Sequence, residues 1–258
     1  RKVLCQFIQS LKAWVFLIRI INGETMSKSK TLCALILAQG CTICPEEVLK
    51  EGDIKINIVP HGYEDLDDFH KDACKIPNKF KKHDLFGQYY DHLGFYERSE
   101  NFDDCQKLSN NQPICDYEKL KELYTEEEYV IVLFEQDLNY GKAEDNIVMI
   151  NGKAARTSLL LHEFTHAFTN LGDEKFDLEQ YGYINIASSS FNCASSFKGD
   201  TCAEKWEGIE HGCLIGCQNN SALYRPSDSC IMNNPFETDR YCPVCEYRIR
   251  ETMAEKGF

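Results

Sequence analysis

Three short segments of the chain have the hydrophobic pattern of β-strands. Apolar and polar residues alternate in IKINIV (residues 54–59), whereas the run YVIVLF (129–134) is continuously apolar. The third segment, NIVMI (146–150), stands directly before Asn151-Gly152, a pair that is typical of a turn. Alternation is typical of a half-buried strand, and a short apolar run of a fully buried one. We therefore predict a strand in each segment.

Helical spacing, with apolar residues three or four positions apart, occurs in two further segments. In residues 64–76 these positions are Leu66, Phe69, Ala73 and Ile76. In residues 157–172 they are Leu160, Leu161, Phe164, Ala167, Phe168 and Leu171. Thr157 or Ser158 can cap the second helix, and Gly172, which adopts the left-handed conformation without steric cost, is expected to end it. A third helix is predicted at residues 245–256.

The remaining residues indicate how the chain is organised. Residues 77–120 are polar and aromatic and are interrupted by Pro and Gly, so no element is predicted there. From residue 173 to about 235, Gly, Asn, Ser and Cys dominate. Strands and helices followed by a loop-rich, cysteine-rich part predict an α+β fold with two subdomains, residues 41–172 and 173–258, around a cleft.

Residues 1–40 differ from the rest of the chain and resemble a targeting segment. They hold six basic residues, one acid (Glu24) and two apolar runs, residues 15–21 and 32–38. Met26 can serve as a start codon, because a basic segment and then an apolar one follow it, and Ala38-Gln39-Gly40 has the small residues of a cleavage site. We therefore expect residues 1–40 to be a leader that is removed.

Two alternatives to a cleaved leader remain open. Residues 3–21 could anchor the chain in a membrane, but polar residues interrupt them and a span needs about 20 apolar residues. Gly40-Cys41 could belong to a lipoprotein signal, but Ala38 stands where such signals usually carry leucine. We therefore expect no stable membrane span in the processed chain.

Charge and cysteine content narrow the class of protein. The chain has 28 Lys and Arg against 41 Asp and Glu, a net charge of −13, and loss of the six basic residues and one acid of residues 1–40 would change this to −18. Such a chain is not expected to bind nucleic acid. Of its 14 cysteines, twelve follow residue 40. This even number, spread along the chain, predicts disulfides and a secreted or extracytoplasmic protein.

The sequence HEFTH (162–166) carries the main candidate chemistry. On a helix, His162 and His166 lie one turn apart on one face, so both imidazoles can bind one Zn²⁺ ion. Glu163 then stands beside the open coordination position, where it can take a proton from a zinc-bound water that attacks a carbonyl. The alternative is a surface helix with two unengaged histidines. The core-facing leucines and phenylalanines within one turn argue against it, because unpartnered polar groups are costly there.

Two histidines leave a catalytic zinc one protein ligand short. Asp173 is the candidate third ligand, because a chain that turns back at Gly172 carries the next side chain toward the histidines. Glu174 would then point elsewhere, and it is a candidate to orient one of the histidines. Asp173 and Glu174 could instead be a solvated pair after a helix end. Other possible third ligands are His211, Glu179, Glu204 and Glu207.

These motifs resemble the metzincin clan of zinc peptidases, and within it the family named for the bacterial IgA-cleaving metallopeptidase. The general metzincin motif continues with a glycine and a third histidine, where this chain has Thr169 and Gly172. The IgA-peptidase family instead has a pattern similar to HEFTH followed by LGDE (171–174). YRPSDSCIMNN (224–234), YCPVC (241–245) and, more weakly, residues 54–73 also resemble that family.

The resemblance implies a metzincin-like α+β fold with a mixed sheet and an active-site helix. It implies that Met232 lies beneath the zinc in a methionine turn without binding it. Tyr224 would contact the developing oxyanion or the substrate, although a tyrosine in such a turn is more often structural. Since metzincins place an antiparallel edge strand before the active-site helix, we expect a substrate peptide to pair with residues 146–150.

Cys230, Cys242 and Cys245 form a further motif. They could bind a second, structural zinc ion with Cys213 or Cys217 as the fourth ligand. In a secreted chain, disulfides are the favoured interpretation.

Taken together, these patterns predict a secreted zinc-dependent endopeptidase that acts on polypeptides. The alternative is a secreted cysteine-rich binding protein whose zinc site is vestigial or structural. The complete set of both histidines, Glu163 and an acid after Gly172 favours the enzyme, because a binding protein would not need all of them.

Overall fold

The computed structural model describes residues 48–107, 113–124, 128–136, 141–174, 190–195 and 201–258. These residues all belong to one compact unit, residues 45–258. The expected leader, residues 1–40, and the candidate start at Met26 lie outside the described residues.

A six-stranded mixed sheet forms the centre of the fold. Its strands are β1 (Val48–Lys50), β2 (Ile54–His61), β3 (Leu93–Glu97), β6 (Tyr129–Phe134), β7 (Lys142–Glu144) and β8 (Ile147–Asn151). They lie side by side in the order β1-β3-β2-β6-β8-β7. The central strands β3, β2, β6 and β8 are parallel, whereas β1 and β7 are antiparallel to their neighbours. The expected α+β fold with a mixed sheet is confirmed.

Two smaller sheets and six helices complete the described fold. The short strands are β4 (Cys105–Lys107) with β5 (Pro113–Cys115), and β10 (Leu214–Cys217) and β9 (Ala194–Ser195) on either side of β11 (Asn220–Arg225). The helices are α1 (Leu66–Ala73), α2 (Ile76–Lys82), α3 (Tyr117–Leu123), α4 (Ser158–Thr169), α5 (Cys202–Lys205) and α6 (Pro243–Glu255). A single turn of 3₁₀ helix spans Ala154–Arg156, and a longer 3₁₀ segment spans Phe86–His92.

The predicted strands and the helix at the HEFTH motif agree with these elements. Strand β6 has the predicted bounds, and all six of its residues are buried, as a continuous apolar run requires. Helix α4 begins after Thr157, whose hydroxyl accepts a hydrogen bond from the Leu159 amide at 3.2 Å. The segment 77–120, where no element was predicted, contains β3, β4, β5, the 3₁₀ segment Phe86–His92, most of α2 and the first turn of α3.

The predicted peptide-binding edge is corrected by the position of β8. Strand β8 pairs with β6 on one side and with β7 on the other, so residues 147–151 are not an edge of the sheet. The antiparallel edge strand is β7, residues 142–144, and it was missed because its sequence KAE has no hydrophobic pattern.

An aromatic core fixes helix α4 against the sheet. The rings of Phe164 and Phe168 stack on each other, and both contact Tyr129 of β6. Phe80 and Phe86 close the other side of Phe164 with edge-on contacts at 4.9 and 5.7 Å between ring centroids. These buried rings hold one face of helix α4 against the sheet, and His162 and His166 lie on another face.

Disulfides crosslink the described part of the chain. They link Cys105 to Cys115, Cys193 to Cys217 and Cys202 to Cys213, and Cys74 is disulfide-bonded as well. The disulfides favoured by the sequence for Cys230, Cys242 and Cys245 are not formed, because these three residues are free thiols.

None of the helices in the described residues is long and apolar enough to cross a membrane.

Candidate metal centre

Helix α4 presents its two histidines toward each other at the edge of a cleft. Their rings are perpendicular, with centroids 4.6 Å apart, and the two Nε2 atoms are separated by 3.1 Å. This closeness follows from the four-residue spacing, which places the side chains one above the other on the helix. His162 is buried, whereas His166 is partly exposed to the cleft.

The turn after helix α4 carries Asp173 to the same point. Asn170 has a φ of 57°, in the left-handed region, and its amide donates to the His166 carbonyl at 2.9 Å. Three residues later, Oδ1 of Asp173 lies 3.1 Å from Nε2 of His162 and 3.2 Å from Nε2 of His166. The predicted reversal of the chain is present, but Asn170 takes the left-handed conformation that was expected of Gly172.

Gly172 contributes in another way, through the lack of a side chain. A Cβ atom at this position would lie 2.3 Å from Nε2 of Gln218 and 2.4 Å from Oγ of Ser190. The backbone amide of Gly172 donates to Oδ1 of Asn192 at 2.9 Å. The backbone carbonyl of Gly172 accepts from Nδ2 of Asn192 at 2.8 Å. Close packing at Gly172 thus fixes the backbone that leads into Asp173.

The hydrogen bonds of the other ring nitrogens define which histidine atoms face the metal position. Nδ1 of His162 lies 2.8 Å from the Ile231 carbonyl, and Nδ1 of His166 lies 2.6 Å from the Leu171 carbonyl. A carbonyl oxygen only accepts, so each Nδ1 must donate its proton. In the neutral imidazoles both Nε2 atoms then carry lone pairs, and these are directed at the same point.

Three electron-pair donors therefore converge: two imidazole nitrogens and one carboxylate oxygen, each 3.1 or 3.2 Å from the other two. Ligands about 2.0–2.1 Å from a tetrahedral ion stand about 3.3 Å apart, close to this spacing. The cluster of His162, His166 and Asp173 can accordingly hold a metal ion.

The electrostatics of the cluster favour positive charge at the point of convergence. Burial opposes protonation of His166, but the hydrogen bond and charge of Asp173 outweigh it and raise the pKa of His166 to about 9. Partial desolvation in the cleft opposes the charged form of Asp173, whose side chain is still 53% exposed, and the two histidines hold its pKa well below its usual range. A proton on one histidine neutralises only part of the negative potential at this point, whereas a divalent cation would bind all three electron-pair donors.

Glu163 lies beside the cluster without belonging to it. Its side chain is buried, and burial raises the pKa of its carboxyl, while the nearby histidines act in the opposite direction. A Cβ atom on Gly141 would come within 2.6 Å of the Glu163 Cγ, so only glycine leaves room for this carboxylate. No pattern in the sequence near Gly141 marks it as a functional position.

The cluster opens into a cleft with a volume of about 680 Å³. Edge strand β7 and the turn after it line one wall, and helix α4 with its C-terminal turn forms the floor. Residues Ser190, Gln218 and Asn219 line the remaining side.

Met232 and Tyr224 occupy different surroundings. Met232 is fully buried in the turn that follows Cys230. The residue before it, Ile231, accepts the hydrogen bond from Nδ1 of His162 with its carbonyl. Tyr224 lies in β11 opposite Ile215 and Ala194, and it is not among the described residues that line the cleft. The roles expected for both residues stay predictions.

The alternative third ligands lie elsewhere, as far as the described residues extend. Nδ1 of His211 donates to the Ile209 carbonyl, and its ring lies edge-on against Trp206. Glu204 closes the N-terminal cap of α5 with Thr201, Glu207 is exposed, and Glu179 lies outside the described residues.

Glu174 is not placed to orient a histidine, which corrects the role expected for it. Its side chain is fully buried with three cysteines, and one of its carboxylate oxygens accepts a hydrogen bond from Asn192 at 3.2 Å. Burial raises the pKa of Glu174 to about 8. The atoms that orient the histidines are instead the Ile231 and Leu171 carbonyls, which no side-chain pattern in the sequence could reveal.

No protein-family model matches the chain, and no curated protein matches its sequence.

Proposed function

We propose that this chain is a zinc-dependent endopeptidase, with His162, His166 and Asp173 as the zinc ligands and Glu163 as the general base. The observation that carries the proposal is the convergence of two imidazole lone pairs and a carboxylate oxygen at one point in an open cleft. Three protein ligands leave a fourth position free, as in catalytic rather than structural zinc sites.

Zinc is proposed because the donor set is nitrogen and oxygen in a tetrahedral spacing. When bound, the ion would acidify a coordinated water and polarise a substrate carbonyl. In the neutral imidazoles, the hydrogen bonds to the Ile231 and Leu171 carbonyls place the proton on Nδ1 and leave each Nε2 lone pair for the metal.

Glu163 has the properties of a proton acceptor and donor in one reaction. It sits next to the two histidines on the helix and on the cleft side, and burial shifts its pKa upward from the ordinary carboxyl range. A carboxyl whose pKa is closer to neutral can take a proton from water and later return it to the leaving amine.

Edge strand β7 is the proposed binding site for the substrate main chain. It forms one border of the six-stranded sheet and lines the cleft beside the cluster. A strand at the border of a sheet offers main-chain donors and acceptors to an added strand, and recognition of this kind needs an extended polypeptide. An endopeptidase with a polypeptide substrate fits this arrangement.

An extracytoplasmic location is part of the proposal. The disulfides of the described region support it, because such bonds persist in oxidising compartments.

The decisive experiment combines metal analysis with a peptidase assay on the purified chain. Internally quenched peptides with both termini blocked should be cleaved, cleavage should stop on addition of a chelator, and zinc should restore it. Zinc bound at the histidine cluster without cleavage of any peptide in a broad library would instead favour the binding protein. Cleavage that survives complete removal of the metal would exclude the mechanism.

A further inference from the structure

A second cluster of potential metal ligands lies outside the cleft. It consists of Glu174, Cys230, Cys242 and Cys245, all buried, with one ligand atom from each within 4.8 Å of the others. The three cysteines are free thiols. Cys213 and Cys217, which the sequence offered as fourth ligands, are in disulfides with Cys202 and Cys193.

The local fold brings these side chains together. Cys242 is the residue before helix α6, Pro243 opens the helix, and Cys245 lies in its first turn. The Cys242 amide donates to the sulfur of Cys230 at 3.3 Å, so the turn that contains Cys230 is held against the start of the helix. Glu174 is held beside them by the hydrogen bond from its amide to the Met232 carbonyl at 2.8 Å.

One polar atom of this cluster lacks a hydrogen-bond partner among the described residues. One carboxylate oxygen of Glu174 lies 3.0 Å from Sγ of Cys245 and 3.6 Å from Sγ of Cys242. The other, Oε2, is buried and has no hydrogen-bond partner among the described residues. A buried polar atom of this kind is costly unless something neutralises it, and a coordinated cation would do so.

We propose that Glu174, Cys230, Cys242 and Cys245 bind a second, structural zinc ion. Four protein ligands in a closed, buried setting are typical of structural zinc sites, and thiolates select soft or borderline metals such as zinc. Three thiolates and a carboxylate carry the same total charge as the common four-cysteine site. A disulfide between two of the cysteines would leave Oε2 of Glu174 still without a hydrogen-bond partner among the described residues.

The two clusters are linked through consecutive residues of the chain. Asp173 belongs to the histidine cluster, and the next residue, Glu174, belongs to the cysteine cluster. Likewise, Cys230 belongs to the cysteine cluster, and the carbonyl of the next residue, Ile231, accepts the hydrogen bond from His162. The second ion would therefore hold in place both the loop that delivers Asp173 and the carbonyl that orients His162.

The test isolates the second site by removing the first. The purified full chain with His162→Ala and His166→Ala, prepared with its disulfides intact, should retain about one zinc ion. Replacement of that zinc by cobalt should produce thiolate-to-cobalt charge-transfer absorption in the near ultraviolet. Adding Cys242→Ser and Cys245→Ser should remove both the ion and the absorption. This result is independent of peptidase activity, so it does not depend on the proposed function.

Glu174→Gln probes the carboxylate ligand with little change in shape. In the same double-alanine background it should lower zinc affinity at least about 100-fold, since even residues that only orient a ligand contribute about 10- to 100-fold. Glu174→Cys, which restores an anionic ligand, should retain the ion and strengthen the cobalt absorption. The proposal is overturned if the double-alanine chain binds no zinc, or if mass spectrometry of the unreduced chain finds a disulfide between two of the three cysteines.

Discussion

Asp173 and Glu174 are adjacent in the chain, yet their carboxylates belong to two separate clusters. Oδ1 of Asp173 lies 3.1 Å from Nε2 of His162, at the cleft, whereas Oε1 of Glu174 lies 3.0 Å from the sulfur of Cys245, in the interior. The Asp173 side chain lines the cleft, whereas the Glu174 side chain is buried in the interior. The pair thereby serves both sites through one short segment of chain.

Asp173→Ala should weaken zinc binding at the histidine cluster by about 100-fold or more, because the site loses a ligand and only two imidazoles remain. Equilibrium dialysis against buffered zinc would measure the change. Asp103→Ala removes an exposed carboxylate and is the matched control, expected to bind zinc as the unchanged chain does. Unchanged zinc affinity in Asp173→Ala would show that another residue completes the site.

Glu163→Gln should keep zinc and lose turnover. The amide has nearly the shape of the carboxylate but cannot accept the proton from water, so kcat should fall by about 100- to 10,000-fold. Steady-state kinetics and metal content of the same preparation measure both effects. Glu207→Gln, at an exposed position, controls for the loss of a negative charge. A Glu163→Gln chain with normal turnover would remove the general base from the mechanism.

The sequence predicted the histidine cluster because its residues lie within twelve positions and the spacing on a helix fixes their geometry. The strands at 129–134 and 147–151 were predictable for a similar reason, since their apolar runs are buried on both faces.

Other features depend on contacts between distant parts of the chain. Strand β7 has the sequence KAE and is a strand only because β8 lies beside it. The cysteine cluster needs residues 174, 230, 242 and 245, and the position of Glu174 among them follows from a backbone hydrogen bond to Met232. Gly141 matters only because Glu163 is next to it in space.

A peptide that pairs with β7 should depend on its own main-chain amides. In antiparallel pairing, alternate amides face the neighbouring strand. N-methylation of one such amide in a peptide substrate should raise KM about fivefold, which corresponds to roughly 1 kcal/mol for one hydrogen bond. N-methylation of the adjacent amide, which points away from β7, is the control. Equal effects at both positions would argue against pairing with this strand.

The turn that delivers Asp173 should be sensitive to the residue at position 170. Asn170 has a positive φ, a conformation that costs most L-residues about 1–2 kcal/mol but suits asparagine and glycine. Asn170→Ala should therefore lower the free energy of unfolding by about 1 kcal/mol, whereas Asn170→Gly should change it little. Denaturant titration of the two variants measures the difference. If both variants lose the same stability, the side chain rather than the backbone conformation is what matters.

The stability of the chain should fall in mild acid through His83. Burial lowers the pKa of His83, partly opposed by a hydrogen bond to the Asp239 carbonyl and by the charge of Asp239. Nδ1 of His83 accepts from the Leu85 and Phe86 amides at 3.2 and 3.3 Å, and protonation of this nitrogen would break both bonds. Because the pKa is lower in the folded chain than in the unfolded chain, the stabilisation from neutral His83 is complete above about pH 6.5 and is lost as the pH falls through the folded pKa.

His83→Asn has a side-chain oxygen that can accept a hydrogen bond from one of these amides without titrating. It should flatten the decline in stability between pH 7 and 5 relative to the unchanged chain. Unfolding curves across this range, with His92→Asn at a partly exposed histidine as the matched control, would test this. A decline of the same steepness in His83→Asn and the unchanged chain would assign the acid sensitivity to other groups.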